Sequence, residues 1–264
     1  MVKKEFRTIL AATEGKVLRL TMNRPQVHNA FNAEMIRELA VAFDGAEKDP
    51  DVRLVVLTGA GESFCAGADL NWMREIVRYS YEENLRESRE LAELMYSIYA
   101  LPKPTIARIN GAVIGGGTGL FSACDIVVAS ERAKFGLSEV KIGLIPAAIG
   151  PYVIRRIGES GARELFLTGE RFDARRALEI GLVNKVVTHE ELDSKVEEVV
   201  NLLLSSGPEA IVKCKELLQR VPAMGLDEAK SYTAEMIAGL RVSPEGQEGM
   251  ASFLEKRKPN WTKE

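Results

Sequence analysis

The chain has 264 residues, 46% of them hydrophobic and 28% charged, which suits one large domain, or a domain with an appendage, able to bury a core without staples. A formal net charge of −3 argues against a general attraction to nucleic acid. The cysteines, Cys65, Cys124 and Cys214, are scattered without a metal-binding pair, and neither His28 nor His189 has a local Ser or Cys partner, which argues against a Ser–His or Cys–His hydrolase and a cysteine-built metal site. No long apolar stretch follows Met1–Phe6, so neither a leader nor a membrane span is expected, and the thiols fit a reducing, cytoplasmic setting.

Phe6–Ala12 and Lys16–Met22 are β-rich runs that Thr13-Glu14-Gly15 joins as a hairpin. Asn23-Arg24-Pro25 ends the second strand, and Val27–Phe31 is a loop. Asn32 then N-caps a helix with Met35, Ile36, Leu39 and Phe43 on one face. Leu54–Gly59 is a continuous apolar run of the kind buried on both faces in a parallel sheet. After the small-residue stretch Ser63–Leu70, the spacing of Leu91, Leu94, Met95 and Ile98 predicts a helix over Tyr81–Tyr99, which Leu101-Pro102-Lys103-Pro104 stops. Thr105–Ile109 is a strand, a short helix carrying Phe121 and Ala123 follows Leu120, and Asp125–Ala129 is another buried strand. Beyond the run Phe135–Pro146 the chain turns helical, with helices expected at Ser160–Leu167, Ala174–Ile180, His189–Leu204, Pro208–Arg220, Asp227–Leu240 and Pro244–Lys256, and near Gly169 the pattern shifts from mixed α/β to mostly α.

Two stretches point to chemistry. Gly115-Gly116-Gly117 follows a strand and precedes a helical pattern, and consecutive glycines expose backbone N–H groups where something must approach closely, unless the run is only a flexible loop. Ser63–Leu70 follows a strand in the same manner, and ligands of α/β sheets gather at the carboxyl ends of strands. If the two sites lie side by side, opposed N–H groups from each make an oxyanion hole. Glu139 is a lone carboxylate in the mostly apolar run Phe135–Pro146. It is either an ordinary solvated acid or, if buried in a pocket, a general acid or base with a raised pKa.

Taken together the chain resembles the crotonase, or enoyl-CoA hydratase/isomerase, family. The resemblance is carried by Asn23-Arg24-Pro25 with His28-Asn29-Ala30, Phe64–Leu70, Asn110-Gly111 through Gly117, Cys124-Asp125, Phe135–Glu139 with Gly143–Pro146, and Phe253–Arg257. It implies an α/β fold of repeated ββα units coiled into a spiral, spanning 1–200, with a helical trimerisation region over 201–264. It further implies an acyl-CoA substrate, with coenzyme A entering as part of the substrate and no separate cofactor or metal, and assembly as a homotrimer or a dimer of trimers. By the family pattern the N–H groups of Ala68 and Gly116 hold the thioester oxygen, which stabilises the enolate-like charge formed as a nucleophile adds to the conjugated double bond. Ala66, Gly67, Ala68, Asp69 and Leu70 line the bound CoA, and Lys256 reaches it.

Hydratases of this family carry two glutamates. Here the later one is Glu139, while Gly119 stands at the place of the earlier one. The resemblance therefore implies hydration of a 2-enoyl-CoA with Glu139 as acid/base, or, with one carboxylate, isomerisation or another enolate chemistry. A member that binds acyl-CoA or RNA without turnover is a further alternative, against which the acidic balance argues for RNA. Asp69–Met73 and Ile145–Val153 look similar to bacterial 3-methylglutaconyl-CoA and isohexenylglutaconyl-CoA hydratases. That similarity implies a branched or carboxylated acyl group, an acyl pocket shaped by Trp72, Gly119 and Tyr152, and Arg74 or Arg78 as a partner for a distal carboxylate.

Overall fold

The computed structural model describes residues 5–262; Met1–Lys4, part of the segment read above for a leader, lie outside the described residues. The chain opens with a hairpin, β1 (Ile9–Glu14) and β2 (Val17–Met22), closed by a tight turn at Gly15, whose φ of +57° suits glycine. The first strand starts later than expected, at Ile9 rather than Phe6, and continues through Glu14. The helix α1 (Ala33–Lys48) follows, its first turn capped by Asn32, which accepts from Met35 N–H at 3.0 Å.

The chain then alternates between two sheets. β3 (Leu54–Gly59) enters one sheet and β4 (Ser63–Cys65) the other before α2 (Leu70–Ile76) and α3 (Tyr81–Ala100). β5 (Thr105–Ile109) and β6 (Ala112–Ile114) repeat the step before α4 (Gly116–Ser122). β7 (Ile126–Ser130) and β8 (Lys134–Gly136) repeat it again, ahead of a 3₁₀ turn at Glu139–Ile142 and α5 (Gly150–Thr168), which breaks at Gly158. Then come β9 (Arg171–Asp173), α6 (Ala174–Glu179), β10 (Lys185–Val187) and α7 (Leu192–Ser205). The larger sheet has the order β1-β2-β3-β5-β7-β10, parallel from β2 onward, and the smaller the order β4-β6-β8-β9, parallel except for β8 with β9. From β3 to β8 each turn of the chain thus lays one strand in each sheet and returns through helical structure, which is the ββα spiral of the crotonase fold.

The core lies around these sheets, with Leu20, Leu57, Phe64, Ile109, Phe121, Val127 and Phe135 among its buried side chains. Phe121 meets both Phe64 and Phe135 edge-on, with ring centroids at 6.3 and 5.7 Å, so the middle of α4 is fixed against β4 and β8.

The chain divides into two compact units. One ends at Leu101, resumes at Thr105 and runs to Val196; the other takes Pro102–Pro104 and begins again at Glu197, within α7. The second unit carries α8 (Pro208–Arg220), α9 (Leu226–Val242) and α10 (Pro244–Leu254). The Glu245 carboxylate accepts from the N–H groups of Glu209 and Ala210, both at 2.8 Å, and so caps α8 with a residue of α10. Lys215, buried on α8, donates to the Lys103 carbonyl at 3.0 Å. Among the described residues no helix is long and apolar enough to cross a membrane.

Candidate active site

β4 and β6 are neighbours in the smaller sheet, and each leads through a left-handed glycine into a helix N-terminus. Gly67 has φ +89° and Gly115 φ +54°. Side chains are strained at both by conformation, and at Gly67 they are opposed by space as well, since a Cβ would stand 2.9 Å from the Ile114 carbonyl oxygen. The turns abut one another: a Cβ on Gly117 would stand 2.6 Å from the Cys65 carbonyl oxygen. Small residues at these places are therefore a packing requirement, and the expectation of close backbone approach holds here between two segments of the chain itself.

The bonding of these turns leaves particular amides free. Phe31 N–H donates to the Gly67 carbonyl at 2.8 Å and Asp69 N–H to the Phe31 carbonyl at 2.9 Å. Gly115 N–H donates to the Gly136 carbonyl and Thr118 N–H to the Gly115 carbonyl, both at 2.8 Å. Among the described residues, Ala68 N–H and Gly116 N–H find no acceptor, the latter because it opens α4 and has no carbonyl one turn behind it. Both residues are half-buried, so their amides are not sealed in the core.

Glu139 comes from the 3₁₀ turn after β8 and closes on the same place. Its Oε1 lies 3.2 Å from where a Cβ of Gly115 would stand, and its Oε2 is buried with no hydrogen-bond partner among the described residues. Burial pushes the Glu139 carboxyl above its ordinary value, opposed only by its own backbone N–H. A carboxyl held this way is a stronger proton acceptor than a solvated one. Gly143, with φ +76°, closes the turn, and Leu144 N–H donates to the Glu139 carbonyl at 3.1 Å.

Around this centre sits a polar frame. Arg24 donates to the Ala30 carbonyl at 2.6 Å and to Asp69 Oδ2 at 2.7 Å, while Asp69 Oδ1 accepts from Asn71 N–H at 2.7 Å and caps α2. Burial alone would raise the Asp69 pKa, but the Arg24 guanidinium and the Asn71 N–H together hold it below the usual carboxylate range. Asn29, fully buried with φ +55°, accepts from Arg24 N–H at 2.9 Å and donates to the carbonyls of Ala60 and Ser63, both at 2.8 Å. Arg24 and Asn29 stand in the motifs that carry the family resemblance, but nothing in sequence spacing shows that they brace the Ala68 turn.

The other residues singled out from sequence are distributed more widely. Ala66, Gly67 and Asp69 belong to the Ala68 turn, whereas Leu70 is exposed on the first turn of α2. Trp72 lies in the core, its ring 6.0 Å from that of Phe31 and its Nε1–H donating to Glu87 Oε2 at 2.9 Å. Arg74 donates to Asn71 Oδ1 at 2.6 Å, and both Arg74 and Arg78 are exposed. Gly119 is buried inside α4, where the place of a side chain is taken by Ile149, with its Cβ 2.6 Å from where a Gly119 Cβ would stand, and by Met95. Tyr152 stacks obliquely on Tyr99 at 5.6 Å and walls a cavity of about 230 Å³ with Ser122, Ala123 and Arg155, at the end of α4 remote from Gly116. Lys256, in the second unit, is exposed just past α10 with φ +56°.

Free amides from two strand-to-helix turns beside one buried carboxyl form an arrangement with the chemistry to polarise a carbonyl and move a proton next to it. The family model described as enoyl-CoA hydratase/isomerase matches residues 12–264. The short-chain-enoyl-CoA hydratase of Clostridium acetobutylicum is 35% identical over 260 residues, covering 96% of this chain and 97% of its own. The trans-2-decenoyl-[acyl-carrier-protein] isomerase of Streptococcus mutans is 32% identical, covering 98% and 99% respectively. The crystal structure of an enoyl-CoA hydratase from Shewanella pealeana superposes with a TM-score of 0.94 at 40% identity, covering 97% of each chain. The chain belongs to the enoyl-CoA hydratase/isomerase family, a family of enzymes.

Proposed function

We propose that the protein is a hydro-lyase that adds water across the 2,3 double bond of an enoyl-CoA thioester. The observation that carries this reading is the Glu139 carboxyl, buried and unpartnered at Oε2, against the residue that precedes the free Gly116 N–H. In this mechanism Ala68 N–H and Gly116 N–H donate to the thioester oxygen, and the charge that develops there as water adds to C3 strengthens both bonds in the transition state. Glu139 takes a proton from the water as its oxygen bonds to C3, then gives one to C2 as the enolate collapses, so a single carboxyl serves both transfers. The Ala66–Leu70 turn holds the coenzyme A portion. A branched or carboxylated acyl group, such as that of 3-methylglutaconyl-CoA, is the preferred substrate on the resemblance at Asp69–Met73. Assembly into a trimer or a dimer of trimers is supported by the exposed apolar side chains of Leu226, Val242, Phe253 and Leu254 on the helical unit.

A second reading, double-bond isomerisation, is favoured by the packing of Gly119: with Ile149 in the way, α4 offers no second carboxylate. The two separate in one experiment. Purified protein is incubated with crotonyl-CoA, 3-methylglutaconyl-CoA and a 3-enoyl-CoA in H₂¹⁸O and, separately, in D₂O, and products are read by mass spectrometry. Hydration places ¹⁸O at C3. Deuterium exchange and double-bond migration without ¹⁸O give the reaction to the isomerase, and no change in any thioester overturns both.

A further inference from the structure

We infer that Phe31 is a positioning residue that sets the gap between the two oxyanion donors, an inference that rests on the proposed role of Ala68 and Gly116. Phe31 touches one donor segment with its backbone and the other with its ring. Its N–H donates to the Gly67 carbonyl at 2.8 Å and its carbonyl accepts from Asp69 N–H at 2.9 Å, so Ala68 is bracketed by bonds to one residue on both sides. At the far end of the same side chain, Cε1 lies 2.7 Å from where a Gly116 Cβ would stand, and Cζ is closer still. The ring edge therefore rests directly on the Gly116 backbone.

That contact matters because Gly116 has no side chain of its own: its neighbours are held by the Gly115 N–H bond to the Gly136 carbonyl and by the packing of Gly117 on Cys65, and the Phe31 ring is the group that meets Gly116 itself. Gly115-Gly116-Gly117 has no side chains with which to hold a conformation, and three consecutive glycines resist ordering more than any other tripeptide. An oxyanion hole works only if both donors already stand at hydrogen-bond distance from the place the oxygen will occupy. Phe31 supplies the stop at Gly116, and Phe31 is itself braced. It is 3% exposed, its ring meets that of Trp72, and Trp72 is tied through its indole N–H to Glu87 on α3. On the backbone side, Arg24 grips the Ala30 carbonyl at 2.6 Å and Asp69 at 2.7 Å, holding the residues before Phe31 and after Ala68 with one guanidinium. The sequence run Asn29-Ala30-Phe31 thus acts as a spacer between two turns that are 48 residues apart, counting from Ala68 to Gly116.

The test uses 4-dimethylaminocinnamoyl-CoA, whose push–pull chromophore runs into the thioester carbonyl, so hydrogen bonds that polarise the carbonyl shift its absorbance to the red. The full chain is compared with Phe31→Ala, Phe31→Leu and Phe31→Met, and free CoA binding and turnover are measured alongside. The expected result is a red shift in the wild type that is largely lost in Phe31→Ala and Phe31→Leu. In both variants kcat falls about tenfold to a hundredfold, with KM and free CoA affinity within about threefold of wild type. Phe31→Met, whose unbranched chain reaches further toward Gly116, recovers part of the shift and part of kcat together. Phe31→Leu keeps most of the buried volume and decides the matter if Phe31→Ala does not fold. A full red shift with unchanged kcat in Phe31→Leu, or a loss expressed only in KM, overturns the role of Phe31 while leaving the donors in place. A wild type that shows no red shift on binding overturns the oxyanion reading itself, and Phe31 with it.

Discussion

Gly119→Ala tests the packing that removes a second carboxylate from the site. In an open helix interior the change would stabilise by about 1 kcal/mol, because alanine is the better helix former. Inside α4 the new Cβ meets Ile149 Cγ2 well within van der Waals contact, Ile149 Cβ at 2.6 Å and Met95 Sδ at 3.3 Å. Overpacking of a tight core costs about 1–3 kcal/mol. Ile149 is 2% exposed and presents its branched carbon rather than a movable chain end, which places the cost toward about 3 kcal/mol and the net loss near about 2 kcal/mol. At about 2–4 °C per kcal/mol for a chain of this size, calorimetry is expected to show a fall in Tm of about 4–8 °C. Ile149→Ala removes Cγ2 but not Cβ, so in that background Gly119→Ala is expected to cost about 1 kcal/mol less. A Gly119→Ala variant that melts at or above the wild type, or a cost that is the same in both backgrounds, refutes the assignment of Ile149 as the group that fills the Gly119 side of α4.

Glu139→Gln is expected to lower kcat at least about a hundredfold while thioester binding persists. The wild-type profile should also lose activity toward acid through a limb above the ordinary value of 4.5, because burial raises the carboxyl. The same shift gives a stability signature: the contribution tied to the protonated form is fully present below 4.5 and is lost as pH rises through the raised folded value, so Glu139→Gln should melt higher than wild type at neutral pH and lose that advantage in acid. Asp69→Asn leaves the Arg24 guanidinium without its carboxylate in a largely buried setting, at a cost of about 3 kcal/mol in urea unfolding. Because the Asp69 pKa is lowered, wild-type stability should be present above 3.8 and decline as pH falls through the lower folded value, a dependence that Asp69→Asn should lack. Lys256→Gly removes the strain of a non-glycine residue at φ +56° and should stabilise by about 1 kcal/mol in calorimetric melting.

Residues that act through long periodic segments were legible in the sequence. The apolar run of β3 and the helical spacing of α3 locate both elements within a residue, and Ser80, as a capping box with Glu83, explains why α3 begins at Tyr81. The strands β4, β6 and β8 are three residues each, shorter than any periodicity can reveal, and they exist because each pairs with a neighbour brought in by the spiral. The sequence pattern predicts a short helix after Leu120, but the helix begins at Gly116. Close packing of Gly117 on Cys65 and of Gly119 on Ile149 overrides propensity there. For the site, motif order brought Gly67, Ala68, Gly116 and Glu139 into one proposal, and the structure places the Gly67 and Gly115–Gly117 turns and Glu139 together. What spacing does not disclose is contact. Trp72 packs on Phe31 from within the core, and Tyr152 sits beside Tyr99 at the remote end of α4.

The left-handed turns at Gly67 and Gly115 have a consequence for variation. Both proposed donors are main-chain amides, so among substitutions at the donor residues themselves only proline removes the N–H directly; other changes act by disturbing the turns that aim it. A saturation library scored for activity would then show narrow intolerance at Gly67 and Gly115 and freer exchange at exposed neighbours such as Leu70. Such an arrangement separates the inherited part of the chemistry from the adjustable part. On the proposed mechanism, selection can redraw the acyl-facing surface while the oxyanion donors stay in the backbone.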